Sequence, residues 1–209
     1  MDCLLCGEPA GDRAGWRALF TDRGRPVVCR SCRDGFVLSN DPPPLSDWAG
    51  TQYEGMLDGA VSLYAYNEPM KDFLHRYKFM KDVALARVFA EKVADAVSEA
   101  GGTVVPIPVH PGRLKERTFS HVDELLKCTG VPFGQMLDKT AAVTLGKMNR
   151  RERMAAEPLF RIRAGINGAP GEYVLFDDLY TTGTTLHHAA AALKQAGARR
   201  VTAVTLIRA

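Results

Sequence analysis

The stretch "VLFDDLYTTGTTL", residues 174–186, constrains the fold more tightly than any other part of the chain. An apolar run closes on two adjacent acids, Asp177 and Asp178, and a loop of little but Thr and Gly follows. Next come "TTLHHAAAALKQAGA", with a helical pattern, and "RVTAVTLIR", with a strand pattern. Strand, loop, helix and strand in that order make a βα unit whose two strands run parallel. The same alternation extends upstream. "GAVSLYAY" reads as a strand, and "NEPMKDFLHRYKF" as a helix with Asn67 as cap and Pro69 in the first turn. "DVALARVFAEKVADAVSEAGG" has helical spacing and stops at Gly101-Gly102. "TVVPIPV" reads as a short buried strand, and "HPGRLKERTFSHVDELLKCTG" as a loop entering a helix. The expected fold from residue 58 onward is α/β, a parallel sheet covered by helices.

Ligands of such sheets sit beyond the carboxyl ends of the strands. Both Asp177-Asp178 and His110-Pro111-Gly112 are expected just after strands, hence on one rim. Thr181, Thr182, Gly183, Thr184 and Thr185 fall where a loop enters a helix. Free amides, hydroxyls and the positive end of the helix dipole can surround a phosphate there, with Gly183 turning N–H groups inward. The two acids stand within reach of a sugar whose phosphate the loop holds, and they can help to place Mg²⁺. A polar turn with Thr184 or Thr185 as N-cap is the plain alternative. The acids, the apolar run before and the helix after favour a ligand. Walker A and GxGxxG patterns are both absent.

Four of the five cysteines form a C-x2-C-x22-C-x2-C pattern: Cys3, Cys6, Cys29 and Cys32. Two residues between cysteines let a tight knuckle aim both thiolates at one ion, and two knuckles complete the tetrahedral sulfur shell of structural zinc. Residues 1–40 are therefore expected to form a small zinc ribbon, with Gly11, Gly15, Gly24 and short apolar pieces between the knuckles. So core-poor a segment draws its folding energy from the metal. Cys128 reads as a helix-packing thiol. Pro42 to Pro44 mark an extended linker over 41–57, leaving 58–209 as the main domain.

Across 209 residues no stretch approaches the roughly 20 apolar residues of a membrane span, and no secretory start is evident. A cytoplasmic protein is expected, whose cysteines serve as ligands or buried thiols rather than disulfides. The net charge of +3 permits a nucleic-acid partner without arguing for one. "GKMNRRERMAAEPLFRIR" sets Lys147, Arg150, Arg151, Arg153, Arg161 and Arg163 against Glu152 and Glu157. It can track a phosphodiester backbone, close over pyrophosphate, or form a solvated face of Arg–Glu pairs. Arg113, Lys115 and Arg117 add positive charge near the same rim. His187 and His188 are expected on exposed helix surface, and Trp16 and Trp48 as packing residues of ribbon and linker.

These residues carry a likeness. "VLFDDLYTTGTTL" resembles the PRPP-binding signature of type I phosphoribosyltransferases. The whole chain, through its four cysteines, "YKFMKD", "VPIPVHPGRLKERTFSHVDELL" and "RRERMAAEPLF", resembles the ComF family. The resemblance implies a type I phosphoribosyltransferase-like domain behind a zinc ribbon. Asp177 and Asp178 would hold ribose hydroxyls, and Thr181 to Thr185 the 5′-phosphate. His110, Gly112 and Arg113 would correspond to the pyrophosphate loop, and Lys78 to a basic position of the family. It further implies PRPP or a related ligand with Mg²⁺, and a part in DNA uptake during natural transformation. A transferase of this type positions the sugar and needs no nucleophile. The alternative is a non-catalytic protein that binds single-stranded DNA through the basic rim and the sugar-phosphate site. The family commonly has Gly-Phe-Asn-Gln where this chain has Thr118-Phe119-Ser120-His121.

Overall fold

The computed structural model describes residues 2–10, 27–140, 152, 157–166 and 170–209. Trp16, the three ribbon glycines, Lys147, Arg150, Arg151 and Arg153 lie outside the described residues. The described elements are α1 (Arg30–Asp34), β1 (Gly59–Ala65), α2 (Glu68–Phe79), α3 (Ala90–Ala100), β2 (Thr103–Pro106), α4 (Pro111–Arg117) and α5 (His121–Thr129). They continue with β3 (Leu137–Lys139), β4 (Phe160–Ile162), β5 (Glu172–Tyr180), α6 (Thr184–Gln195) and β6 (Arg200–Arg208).

β1, β6, β5 and β2 lie side by side in that order, all parallel, as the βα alternation requires. Helices cover both faces. Val174 and Phe176 of β5 pack with Met70, Phe73 and Tyr77 of α2, Val93 and Val97 of α3, and Leu125 and Leu126 of α5. Tyr173 and Leu175, one residue out of phase, face Leu186, Ala189, Ala190 and Leu193 of α6 on the other side. A sheet buried on both faces explains why β5 and β6 read as nearly continuous apolar runs.

α2 starts as its sequence predicts: Asn67 Oδ1 accepts from the Met70 N–H at 3.0 Å, and Pro69 sits in the first turn. Three other readings are corrected. Residues 83–89 wind as a 3₁₀ helix before α3 begins. The stretch 111–129 holds two helices, α4 and α5, rather than a loop and one helix. β3 and β4 form an antiparallel hairpin that the sequence did not announce.

Thr118 separates α4 from α5 with φ of 70°, a left-handed position just past the helix end. A β-branched residue there costs about 1–2 kcal/mol, because its Cβ crowds the backbone. Thr118→Gly should therefore raise stability by about 1 kcal/mol, read as a higher urea midpoint at unchanged slope. A lower midpoint would show that the threonine hydroxyl outweighs the strain.

Candidate functional site

The site follows from unequal strand lengths. β2 stops at Pro106, opposite Phe176, whereas β5 runs on through Asp177 and Asp178 to Tyr180. The two acids thus lie inside β5 rather than after it, with Asp177 opposite Thr205 of β6. Beyond the end of β2 their other flank is open. A cleft of about 860 Å³ fills that space, lined by Asp177, Asp178, Lys78, His110, Gly112, Arg113, Arg117, His121, Lys139 and Thr185 among others.

Alternation along a strand sends adjacent acids to opposite faces. Asp178 meets the α2 and α5 side, where it pairs with the Lys78 Nζ and lies 3.4 Å from His121 Nε2. The Asp177 Oδ1 accepts from the Asp178 N–H at 2.9 Å. Burial pushes Asp177 up to about 7, against the pull of Lys78 and Lys139. Burial pulls Lys78 down to about 8; Asp177 opposes that, while Arg117 and Arg113 add to it. His121 is held neutral, lowered first by burial and then by Lys78, Arg117 and Arg113. Arg117 Nη1, always a donor, gives a 2.9 Å hydrogen bond to His121 Nδ1. The same Nη1 lies 3.4 Å from Nε2, and the shorter contact to Nδ1 favours the tautomer protonated at Nε2. The Tyr77 hydroxyl fixes the start of α5 by donating to the His121 carbonyl at 2.6 Å.

The threonine loop enters α6 at Gly183, which is itself the N-cap with φ of 75°, in place of Thr184 or Thr185. Thr182 and Thr184 share a hydroxyl hydrogen bond of 2.8 Å, and Thr185 lines the cleft whereas Thr181 to Thr184 do not. The first N–H groups of α6 have no partner within the helix, so they remain available to an anion. Trp48 props the loop by donating from Nε1 to the Thr182 carbonyl at 3.1 Å, and it stacks on His187 at 4.2 Å. Tyr53 stacks on His188 at 4.0 Å. Both histidines are therefore buried, contrary to the expected exposed surface, because residues from 41–57 cover them.

At the edge of the cleft His110 caps the start of α4, its Nδ1 accepting from the Gly112 N–H at 3.1 Å. Phe79, 66% exposed, carries the Arg117 guanidinium 5.6 Å from its ring centre. The sequence brings Arg117 to this rim but singles out neither Lys139 nor His121 as a site residue. Lys139 arrives on a three-residue strand, and the other two on a helix and a helix start read as a loop. Cys128 is exposed, not packed.

The four N-terminal cysteines gather as their spacing predicts. All four Sγ atoms lie within 4.8 Å of one another, with Cys6 and Cys29 3.7 Å apart. A tetrahedral shell with Zn–S bonds of about 2.3 Å needs sulfurs about 3.8 Å apart, so the set is close enough to bind one metal ion. Burial opposes ionisation of Cys3, yet backbone N–H groups of Cys29, Cys6 and Leu5 bring its thiol down to about 6. Burial pushes Cys32 up, and the neighbouring thiols add to this. Thiolates packed so closely repel unless a cation sits among them. Arg76 of α2 holds the knuckle from below, donating to the Leu5 carbonyl at 2.8 Å and the Leu4 carbonyl at 2.7 Å.

No family model matches the chain. Two curated proteins do. Competence protein ComFC of Streptococcus pneumoniae (strain ATCC BAA-255 / R6) is 30% identical over 221 residues, covering 100% of both chains. Competence protein ComFC of Bacillus subtilis (strain 168) is 32% identical over 228 residues, covering 99% of this chain and 94% of that one. The chain belongs to the ComFC family. Among solved structures, a hypoxanthine phosphoribosyltransferase from Staphylococcus aureus matches at TM-score 0.37 and 14% identity, over 59% of this chain and 62% of that one. The glutamine phosphoribosylpyrophosphate amidotransferase of B. subtilis, complexed with ADP and GMP, matches at TM-score 0.37 and 21% identity, over 57% of this chain and 26% of its own. No helix among the described residues is long and apolar enough to cross a membrane.

Proposed function

We propose that the cleft binds PRPP or a related phosphoribosyl ligand, in a cytoplasmic protein that acts in DNA uptake during natural transformation. The observation that carries this reading is the meeting of Asp177, Asp178, Thr185 and four cationic side chains, Lys78, Arg113, Arg117 and Lys139, in one cleft. A ligand with hydroxyls at one end and phosphates at the other matches that division of charge. In this reading Asp177 and Asp178 accept from the ribose hydroxyls. Thr185 and the first amides of α6, at the end of the loop formed by Thr181 to Thr184, hold the 5′-phosphate. Arg113, with His110 and Gly112, meets the pyrophosphate. If a transfer reaction occurs, these groups orient the sugar and stabilise the departing pyrophosphate, and no side chain has to attack it. Cys3, Cys6, Cys29 and Cys32 hold a structural zinc ion that shapes the N-terminal segment.

The magnesium implied for such ligands fits poorly at the acids themselves. Asp178 is engaged by Lys78, with the His121 ring 3.4 Å away, and one oxygen of Asp177 is taken by a backbone N–H. Magnesium, where it takes part, belongs with the ligand's own pyrophosphate oxygens.

Calorimetric titration with ribose 5-phosphate and with PRPP tests the reading. Both should bind, and Asp177→Asn should weaken each by about 10- to 100-fold, the worth of one or two charged hydrogen bonds. Absence of heat from both ligands would overturn it. A second reading, binding of single-stranded DNA, is favoured by the exposed Phe79 beside Arg117, a surface on which a base could stack. Arg150, Arg151 and Arg153 would then contribute backbone contacts. Oligonucleotide binding that weakens with salt and with Phe79→Ala would support it.

A further inference from the structure

Lys78 places an ammonium directly beside the paired acids. It projects from the last turn of α2 into the open flank of β5, with only 13% of its side chain exposed, and its Nζ contacts the Asp178 carboxylate. Asp177 lies close enough to feel its charge, and Lys139 approaches Asp177 from the hairpin side. Two buried carboxylates on neighbouring residues need positive charge beside them. In this chain ammonium groups on two separate elements supply it. His121, positioned by Arg117, sets its neutral ring 3.4 Å from the same carboxylate. Magnesium demands near-octahedral oxygen coordination at about 2.0–2.1 Å and sheds its water reluctantly. The carboxylate oxygens already engaged cannot provide that geometry, and a fixed ammonium beside them repels a dication.

Resting on the phosphoribosyl reading above, we propose that Lys78 is a built-in counter-cation of the Asp177–Asp178 pair. The cleft therefore engages the ribose 5-phosphate portion of its ligand without a divalent ion at these acids. Lys78 is thereby a positioning residue. It holds the Asp178 carboxylate ionised and oriented for the sugar hydroxyls, and divalent ions enter only with a pyrophosphate.

Two measurements test this. The first needs no organic ligand: electron paramagnetic resonance of Mn²⁺ mixed with the protein. The native protein should leave the Mn²⁺ signal free, whereas Lys78→Met should bind it at the vacated acids. Manganese bound by the native protein, and lost in Asp177→Asn, would overturn the proposal. The second is calorimetry with ribose 5-phosphate, which carries no pyrophosphate. Native affinity should agree within about twofold between EDTA and excess Mg²⁺. Lys78→Met should lose at least tenfold in EDTA and recover with Mg²⁺, and Lys78→Arg should behave as native. Native binding that disappears in EDTA would sink the inference while leaving the ligand reading intact. Silence from ribose 5-phosphate and PRPP in both buffers would sink the ligand reading, with the Mn²⁺ result still judging the role of Lys78. Should Lys78→Met fail to fold, the native Mn²⁺ and EDTA arms decide alone.

Discussion

Removal of metal from the four cysteines is expected to unfold residues 2–10 and 27–35 while the parallel sheet stays intact. Structural zinc contributes about 10–16 kcal/mol in small four-ligand modules, far beyond what their packing supplies. The apolar cluster of this segment is small: Cys3, Ala10 and Val28, with partly buried Leu5, Cys29, Cys32 and Val88 against it. Such a cluster cannot offset the ordering cost of the chain around it. Hydrogen exchange should show the amides of Leu4 and Gly7, now bonded to Val27 and Cys3, losing protection after chelation. Amides of β5 and β6 should keep theirs. Cys29→Ser should give the same pattern without chelator. Unchanged protection after complete zinc removal would show that packing alone holds the knuckles.

The second large effect is expected at Gly183. Its φ of 75° already strains any other residue, and a Cβ there would stand 2.5 Å from the Tyr180 hydroxyl and 2.7 Å from its Cζ. Tyr180 is buried at the end of β5 and cannot swing aside. The left-handed backbone costs about 1–2 kcal/mol and the overpacking about 1–3 more, so Gly183→Ala should lose roughly 2–5 kcal/mol. For a chain of this size that lowers Tm by roughly 4–20 °C. Gly55→Ala is the control: φ is 70° there, but nothing lies within 4 Å of the added methyl. The difference between the two variants measures the Tyr180 contact. Equal losses would show that the ring yields and that only the backbone matters.

The parts of the fold written in one continuous segment were legible in the sequence. β5, the threonine loop, α6 and β6 follow from hydrophobic period and turn chemistry alone, and the cysteine cluster follows from spacing. What escaped depends on contacts between distant segments. His187 and His188 look like polar surface on α6 until Trp48 and Tyr53 are laid over them. Lys139 reaches the cleft on a three-residue strand whose partner, β4, lies about twenty residues further on, too short and too distant for any periodicity to reveal. The pairing of Lys78 with Asp178 was legible only as two separate motifs. Charge in each motif suggests an anion and a sugar, but only the third dimension shows that they neutralise one another.

Residues 37–39 run antiparallel beside β1, with the Ala65 N–H donating to the Val37 carbonyl at 2.9 Å and the Ser39 N–H to the Leu63 carbonyl at 3.0 Å. Just before them, Phe36 inserts among Tyr64, Phe73 and Phe89. Excising the cysteine segment at residue 40 would thus bare a sheet margin and leave a hole in the aromatic packing. Unpaired margins of this kind recruit strands from other molecules. The shortened chain would be prone to self-association, and a trimmed version meant for soaking or labelling work should begin before Phe36.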